Sequence, residues 1–463
     1  MENNTQTRVE HDSMGEVLVP IKALYGAQTQ RAIDNFKISQ HKLPRQFIRA
    51  LGIIKKAAAM SNLKLGLLDK ELSNVISKAA EIVIAGEVDE HFPIDVYQTG
   101  SGTSSNMNCN EVITGLALKQ FNIKVHPNDH VNMSQSSNDV IPTVIHVSAA
   151  LELREHLIPA LKHLEQIIEK KSSECLHATK TGRTHLMDAM PVTIGQELSG
   201  WAAQINSCRL MITDLATKLE QLQIGGTAVG TGINCHPKFS KTICKQISKI
   251  TKQKFSPMDN LFKGLSSQDD IVACSGSLKT LAVALMKIAN DLRWMNSGPL
   301  AGLGEISLTS LQPGSSIMPG KVNPVIPEAV CMVAAQVIGH DATITIAGQA
   351  GNFQLNVMLP VIANNILDSI YILGNACQEL ADKAIADFKV NIDNLNEKLA
   401  KNPILVTALN RIIGYELGAK IAKQSYAQNR PLIDVAVELT SLSKAELTKL
   451  LDPHLLTKGG INQ

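Results

Sequence analysis

Residues 314–324, with the sequence GSSIMPGKVNP, hold the densest set of groups in this chain that could bind and activate a small anion. Ser315 and Ser316 carry hydroxyls that both donate and accept hydrogen bonds, and Lys321 carries a cation with three donors. Glycine lets the backbone approach a ligand closely. An apolar stretch follows directly, so we predict an anion-closing loop at the start of a helix rather than a plain solvated turn.

Three further polar runs could supply donors to the same site. They are residues 99–106 (TGSGTSSN), 135–138 (QSSN) and 182–185 (GRTH), and we predict that all three lie in loops between helices. His185 adds an imidazole that titrates near neutral pH. Taken singly, each run is also typical of helix caps and turns. If they converge, they would hold a carboxylate-rich substrate and place positive charge where negative charge develops.

Helical periodicity predicts the elements that must position these runs. Apolar residues alternate in steps of four and three over residues 194–222 and again over 278–295. A third series over 153–168 contains Pro159, which should kink or restart its helix. The stretch after Pro327 is apolar on nearly every face, which predicts a helix buried on all sides. We therefore predict a mainly α fold with an elongated central helical bundle, against which further chains pack.

The chain length of 463 residues predicts about three domains. We place a mixed helical and loop domain at residues 1–138, the long-helix bundle at 139–392, and a small helical domain at 393–463. Within the last, Ser443 and Glu446 have the spacing of a capping box.

Composition excludes several classes of function. The chain has 44 Lys and Arg against 42 Asp and Glu, so it lacks the field that nucleic acid or an anionic membrane would require. Charged and polar residues interrupt the apolar stretch 329–348, which argues against a membrane span. The N-terminus has no signal-peptide core. Eight scattered cysteines without a CxxC pair are typical of a reduced, cytoplasmic protein.

Other binding motifs fit poorly. The 314–324 run is not a phosphate loop, because five residues separate its two glycines and Val322 stands where Ser or Thr should bind magnesium. GGTAVGTG at 225–232 lacks the surrounding pattern of a dinucleotide site. His126 and His130 are four residues apart, but Pro127 and Asn128 predict a loop there, and no further ligand completes a zinc set. We predict no metal site.

Over about residues 10–456, the chain resembles the class II fumarases of the fumarase/aspartase superfamily. The 314–324 loop looks like the superfamily signature. The other matching runs, in chain order, are YGAQTQRA at Tyr25, QTGSGTSSNMNCNEV at Gln98, HPNDHVNMSQSSND at His126, GRTHLMDA at Gly182, GGTAVGTG at Gly225 and AGNFQLNV at Ala350.

The resemblance implies reversible anti addition of water to fumarate, giving (S)-malate, without a metal or organic cofactor. It also implies a homotetramer in which residues 139–392 form a shared helical bundle and each active site is built from three subunits. The expected partners are fumarate, malate and identical subunits, with no nucleic acid and no membrane, and the expected location is the cytoplasm.

Carried over to this sequence, the resemblance makes Ser315 the base that removes the C3 proton of malate. His185, oriented by Glu328, acts through a water on the C2 hydroxyl, and Lys321 stabilises the developing charge. The residues expected to hold the substrate are Ser101, Gly102, Thr103, Ser136, Ser137, Asn138, Thr184, Ser316, Lys321, Val322 and Asn323. The expected secondary dicarboxylate site is His126, Pro127, Asn128 and Asp129.

The sequence departs from the family pattern at two positions, and two alternative functions stay open. Met187 stands where the family usually has Gln, and His130 replaces a frequent Asp. His185 favours fumarases, since aspartases carry Gln there, but KVNPVIPE also occurs in aspartases. An aspartate ammonia-lyase is therefore one alternative, which an assay for ammonia-dependent loss of fumarate would separate. A structural lyase homologue without catalysis is the other.

Overall fold

A computed structural model of the chain describes residues 6–460, and helices dominate it. The prediction of a mainly α fold is confirmed. The α-helices are α1 (Ala27–Asn35), α2 (Arg45–Lys64), α3 (Lys70–Ala85), α4 (Thr103–Phe121), α5 (Ser137–Glu152), α6 (Ile158–Glu174), α7 (Ile194–Lys218), α8 (Phe239–Thr251), α9 (Leu261–Ser266), α10 (Asp269–Met295), α11 (Val325–Gly348), α12 (Leu359–Leu380), α13 (Ile392–Ala400), α14 (Asn410–Ile413), α15 (Tyr415–Gln428), α16 (Leu432–Leu439), α17 (Lys444–Leu450) and α18 (Pro453–Leu456).

The strands form only two-stranded pairs in the described part of the chain. Their bounds are β1 (Thr7–Asp12), β2 (Gly15–Pro20), β3 (Thr179–Thr184), β4 (Met187–Thr193), β5 (Gln221–Leu222), β6 (Ser256–Pro257), β7 (Ile306–Ser307), β8 (Gly351–Asn352), β9 (Leu355–Asn356) and β10 (Lys389–Val390). β1 with β2, β3 with β4, β8 with β9 and β7 with β10 pair antiparallel, and β5 with β6 pairs parallel.

The chain divides into two compact units. The first comprises Met1–Pro159, Arg209–Ala282 and Ala335–Gly374, and the second comprises Ala160–Cys208, Val283–Ala334 and Asn375–Gln463. The boundaries fall inside several long helices, which therefore contribute residues to both units. The three domains expected at 1–138, 139–392 and 393–463 stay a prediction.

The core of the first unit is built around α2, which packs against α3, α5 and α8. One face of α2 carries Phe47, Leu51 and Ile54, and each is buried. α3 ends where Gly86 adopts a φ of 85°, a left-handed conformation that glycine takes without a side-chain clash.

In the second unit, the β3–β4 hairpin packs against α13, and the last helices form a small core of their own. Leu409, Ile421, Val435 and Leu447 are fully buried there. The predicted capping box at the start of α17 is confirmed, because Ser443 N donates to the Glu446 carboxylate at 2.8 Å.

The periodic seams behave largely as predicted. The seam positions of α10 are buried, namely Leu278, Leu281, Leu285, Ile288, Leu292 and Met295, and so are nearly all seam positions of α7. A π-helical turn at Leu153–Leu157 joins α5 to α6, and Pro159 lies in the first turn of α6. The proline therefore interrupts the regular α-helical hydrogen bonds, but the helical backbone continues without a restart.

The prediction of a helix buried on every side after Pro327 is wrong for a single chain. α11 exposes Met332 by 68% and Ile346 by 59%. The reason is that elements of the same chain cover only part of this apolar helix. By length and composition α10 and α11 could each cross a membrane, a test that core helices also pass.

The eight cysteines form no disulfide in the structure, and most are buried. Burial raises the pKa of the Cys109, Cys244 and Cys274 thiols to about 12. The pKa of Cys235, which is half-buried, is also raised to about 12 by burial. These thiols therefore stay protonated near neutral pH.

Candidate active site

The first unit places two of the predicted substrate-binding runs at helix N-termini. α4 begins at Thr103, directly after Gly102 with a φ of 71°, and the Ser101 hydroxyl donates to Thr103 Oγ1 at 3.2 Å. Residues 103–106 are thus helical, so the predicted loop ends earlier than expected. A helix N-terminus suits a carboxylate, since its first N–H groups lack partners within the helix.

Ser136 caps α5 in a second capping box. Its backbone N–H donates to Asp139 Oδ1 at 2.9 Å. The other oxygen of Asp139 accepts the backbone N–H groups of Gly225 and Thr227, at 2.8 and 2.9 Å. Burial raises the pKa of Asp139 to about 6, against the effect of these N–H donors. The carboxylate therefore fastens the GGTAVGTG loop to the helix that carries Ser137 and Asn138.

A buried lysine joins the two N-termini. Lys55 of α2 is completely buried, and its ammonium donates to the side-chain oxygens of Asn106 at 2.7 Å and of Asn132 and Gln135 at 3.0 Å. Asn106 donates in turn to Ser137 Oγ at 3.0 Å. Burial lowers the pKa of Lys55 to about 8.

Sequence reasoning missed Lys55 and Asp139. The available signal for Lys55 was its place within LGIIKKAAAM, where the apolar neighbours of α2 leave a charged residue facing the core. For Asp139 the signal was its position three residues after Ser136, the spacing of a capping box.

The AGNFQLNV run also lies beside these groups. It forms the β8–β9 hairpin, and Leu359 N donates to Gly100 O at 3.0 Å just after it. A Cβ atom at Gly100 would come within 1.9 Å of Val357 O, so only glycine permits this approach. The first unit thus assembles four of the sequence motifs from distant parts of the chain.

In the second unit, the predicted GRTH loop is instead the end of a hairpin strand. Thr184 pairs with Met187, and the two-residue turn between them is His185–Leu186, with φ values of 56° and 61°. Positive φ at both turn residues is the pattern of a type I′ turn, whose twist matches that of the strands. The hairpin therefore presents His185 at its exposed tip.

A buried ion cluster holds the base of this hairpin. Arg183 and Lys180 of β3 both contact the Glu305 carboxylate, at 2.5 Å each. Lys180 also lies 2.9 Å from Glu197 at the start of α7. Glu305 is only 1% exposed, so its charge depends on these two cations. The sequence analysis did not predict this cluster.

The signature loop closes on itself ahead of α11. Gly314 N donates to Lys321 O at 2.8 Å, and the Asn323 side chain donates to Gly314 O at 2.8 Å. Inside the loop, Ser315 Oγ accepts the backbone N–H groups of Ile317 and Met318 at 3.3 and 3.1 Å. The predicted anion-closing loop thus directs main-chain donors at the hydroxyl of Ser315.

A cleft of about 810 Å³ lies beside this loop. Lys321, Val322, Asn323 and Glu328 line one side of it, and the end of α10 with Arg293 lines another. Thr184 and Ser316 are exposed. Across residues 6–460, His185 has no hydrogen-bond partner, so one chain does not join it to Glu328.

The expected secondary site is not the loop that was predicted. Pro127–Val131 forms a single π-helical turn, because His126 Nδ1 accepts the N–H of Asp129 at 3.0 Å and caps it. His126 Nδ1 also lies 3.2 Å from the Asp129 carboxylate. Asn128 lies within this turn. In the described range no three His, Cys, Asp or Glu side chains come together as a metal site.

Comparison with known proteins identifies the family. Residues 15–339 match the lyase family, and residues 405–458 match the fumarase C C-terminus. The chain is 59% identical to "Fumarate hydratase class II 2" of Pseudomonas aeruginosa, over 99% of this chain and 100% of that protein. It is 58% identical to the "Fumarate hydratase class II" of Xylella fastidiosa, over 100% of this chain and 98% of that protein.

A solved structure gives the same result. The class II fumarase of Schistosoma mansoni superposes with a TM-score of 0.95 at 37% identity, covering 98% of this chain and 99% of that one. The relatives favour the hydratase prediction over the aspartate ammonia-lyase alternative. This chain therefore belongs to the class II fumarate hydratases, lyases that add water reversibly to fumarate.

Proposed function

We propose that the reaction between fumarate and (S)-malate uses Ser315 as the base at carbon and His185 as the acid and base at oxygen. The observation that carries this proposal is the pair of main-chain N–H groups directed at Ser315 Oγ. A serine hydroxyl is a weak acid, so it acts as a base only where its alkoxide is stabilised. Two amide donors favour the alkoxide, since they bind its negative charge more strongly than the neutral hydroxyl.

In the dehydration direction, the Ser315 alkoxide takes the C3 proton of malate. The electron pair of that C–H bond moves into the adjacent carboxylate, which becomes a dianion. Lys321 and Asn323 belong to the same closed loop and bind this extra charge. The pair then returns to form the double bond, while the C2 hydroxyl leaves as water with a proton from His185.

The second carboxylate fits the helix N-termini of the first unit. Thr103 begins α4, and Ser136 caps α5 beside Ser137 and Asn138. Hydroxyls at the positive end of a helix dipole suit a carboxylate, which carries negative charge and only accepts hydrogen bonds. We assign the dicarboxylate-binding role to the residues predicted for it above, and we keep His126, Pro127, Asn128 and Asp129 as the secondary dicarboxylate site.

We further propose a cytoplasmic homotetramer with active sites shared between subunits. Large apolar side chains are exposed along the long helices, including Met332 and Ile346 of α11 and Val283 of α10. Such apolar surface is typical of an interface with other chains. His185 also lacks any partner for its imidazole in the described part of one chain, and Glu328 of a neighbouring subunit would orient it.

Mixed tetramers test the base, the acid and their sharing together. Ser315→Ala and His185→Asn are each made with a different affinity tag, co-expressed, and purified for tetramers that carry both tags. Fumarate absorbance in the ultraviolet gives the rate. We expect each pure variant to be nearly inactive and the mixed tetramers to regain turnover, since some sites combine an intact Ser315 with an intact His185.

Three outcomes contradict the proposal. Mixed tetramers no more active than the pure variants would show that both residues of a site come from one chain. Near wild-type turnover in either pure variant would remove that residue from catalysis. Wild-type protein that consumes fumarate only with ammonia would instead support the ammonia-lyase.

A further inference from the structure

Lys55 is a buried cation that the reaction described above does not use. It has no exposed surface, and its three ammonium protons meet three side-chain amide oxygens, those of Asn106, Asn132 and Gln135. None of these acceptors is a carboxylate. Burying an ammonium without an ion-pair partner in contact costs free energy, and the nearby buried carboxylate of Asp139 offsets only part of that cost.

The ammonium fixes the orientation of Asn106. An ammonium group only donates hydrogen bonds, so the oxygen of the Asn106 amide must face it. The NH₂ group of Asn106 is then left to face Ser137 Oγ at 3.0 Å and Asn132 Oδ1 at 3.1 Å. The opposite orientation would bring NH₂ protons against the ammonium.

This orientation determines how Ser137 uses its hydroxyl. Because Ser137 Oγ accepts the Asn106 amide proton, its own proton must point elsewhere. Within residues 6–460 no protein acceptor receives that proton. Ser137 lies in the first turn of α5, beside the other donors of the helix N-termini. A substrate carboxylate can only accept hydrogen bonds, so it needs a Ser137 hydroxyl whose proton is free to be donated.

We infer that Lys55 is a positioning residue, which acts through Asn106 to keep the Ser137 hydroxyl free to donate to a substrate carboxylate. The inference rests on the proposed role of Ser137 in substrate binding. A side chain of similar length without charge, such as methionine, would fill the same space. Without the ammonium, only the contact with Asn132 Oδ1 would still favour the present orientation of Asn106. The amide would then turn over in part of the molecules, and the Ser137 proton would be drawn inward to the amide oxygen.

The first test is a double-mutant cycle on KM for fumarate, with Lys55→Met, Ser137→Ala and the double variant. We expect each single change to raise KM about tenfold, the usual size for a hydrogen bond to a charged group, with a smaller effect on kcat. The double variant should resemble Ser137→Ala to within about twofold, since contacting residues that act through one interaction are not additive.

Lys56→Met is the matched control. Lys56 is the next residue on α2, but its ammonium pairs with Glu81 at 2.6 Å and does not belong to this cluster. We expect it to keep the wild-type KM. A Lys55→Met enzyme with wild-type KM, or fully multiplicative effects in the double variant, would overturn the inference.

Asn106→Asp tests the same chain of contacts without removing the buried cation. The new carboxylate gives Lys55 an ion-pair partner, which offsets the lost hydrogen bond to Asn132 Oδ1, so the protein should still fold. It can only accept from Ser137, which must then donate inward, and KM should rise about tenfold. In the Ser137→Ala background Asn106→Asp should have little further effect. Unchanged KM in Asn106→Asp would overturn the inference even if Lys55→Met fails to fold.

The outcomes separate this inference from the proposed function. If Ser137→Ala raises KM but Lys55→Met and Asn106→Asp do not, only the inference is wrong. If Ser137→Ala itself leaves KM unchanged, the assignment of Ser137 to the substrate site is wrong, and the inference falls with it.

Discussion

The two sets of proposed active-site groups differ in how far a single chain completes them. The donors of the first unit, at the starts of α4 and α5, rest on buried and mutually bonded side chains such as Lys55, Asn106 and Asp139. In the second unit His185 lies on an exposed hairpin tip, and Ser315 lies in a loop whose neighbours Ile317 and Met318 are exposed by 83% and 48%. The proposed substrate-binding groups of the first unit are thus preorganised within one chain, whereas the proposed acid and base depend on further surroundings.

The largest effect should come from the proposed base and acid of the second unit, Ser315 and His185. Ser315→Ala and His185→Asn should each lower kcat at least about a hundredfold, the usual size of an acid or base contribution, with little change in KM. Steady-state rates from fumarate absorbance measure this. Ser316→Ala, which removes the neighbouring hydroxyl from the same loop, is the control and should affect KM more than kcat. A rise in KM alone for Ser315→Ala would assign it to binding, like the donors of the first unit.

The buried ion cluster below the His185 hairpin tests whether burial of charged groups also stabilises the second unit. Glu305→Ala leaves Lys180 and Arg183 without their buried partner and should lower the free energy of unfolding by about 3 kcal/mol. Thermal and urea unfolding measure the change. Glu197→Ala removes a more exposed carboxylate from the same Lys180 and should cost clearly less. Equal losses of unfolding free energy in the two variants would show that the burial of Glu305 adds nothing to its contribution to stability.

The buried lysine of the first unit should appear in the pH dependence of stability. Its folded pKa of about 8 lies below the ordinary value of 10.5, so the unfolded chain binds the proton more readily between these values. Stability should therefore rise with pH, by about 2 kcal/mol between pH 8 and 9.5. Unfolding curves of the wild type and of Lys55→Met measure the difference. A wild-type slope as flat as that of the variant would show that the ammonium is not desolvated.

The smallest effect concerns the hairpin tip. Leu186 has a φ of 61°, which is strained for a side chain with a Cβ, so Leu186→Gly should stabilise the protein by about 1 kcal/mol or less. The kcat value should fall less than tenfold if β3 and β4 alone hold His185 in place. Thermal unfolding and steady-state kinetics check both values. A loss of activity as large as that of His185→Asn would show that the strained turn itself orients the imidazole.

The sequence was sufficient for features that depend on local spacing. Ser443 and Glu446 define a cap, and the loop predicted at residues 314–324 does precede a helix. These features rest on residues within one or two turns of each other. The sequence motifs were also sufficient to predict the family, because several specific runs follow one another along the chain.

Features that depend on distant segments could not be predicted in the same way. The contact between Lys55 and Gln135 joins residues 80 positions apart, and no local pattern reports it. The hairpin strand at GRTH could not be predicted, because β3 has no clear alternation of apolar and polar residues. Its His185–Leu186 turn also lacks the usual Asn-Gly signal of a hairpin. The π-helical turn at Pro127–Val131 was missed because proline and asparagine normally indicate a loop.

The buried cysteines have a consequence for an enzyme of this family. Fumarate has a double bond activated by two carboxyl groups, and a thiolate that attacks such a bond by conjugate addition becomes alkylated. The thiolate is the reactive form, and burial holds the pKa of Cys109, Cys244 and Cys274 near 12. These side chains therefore stay as unreactive thiols at neutral pH. The fold protects these thiols from alkylation by the enzyme's own substrate.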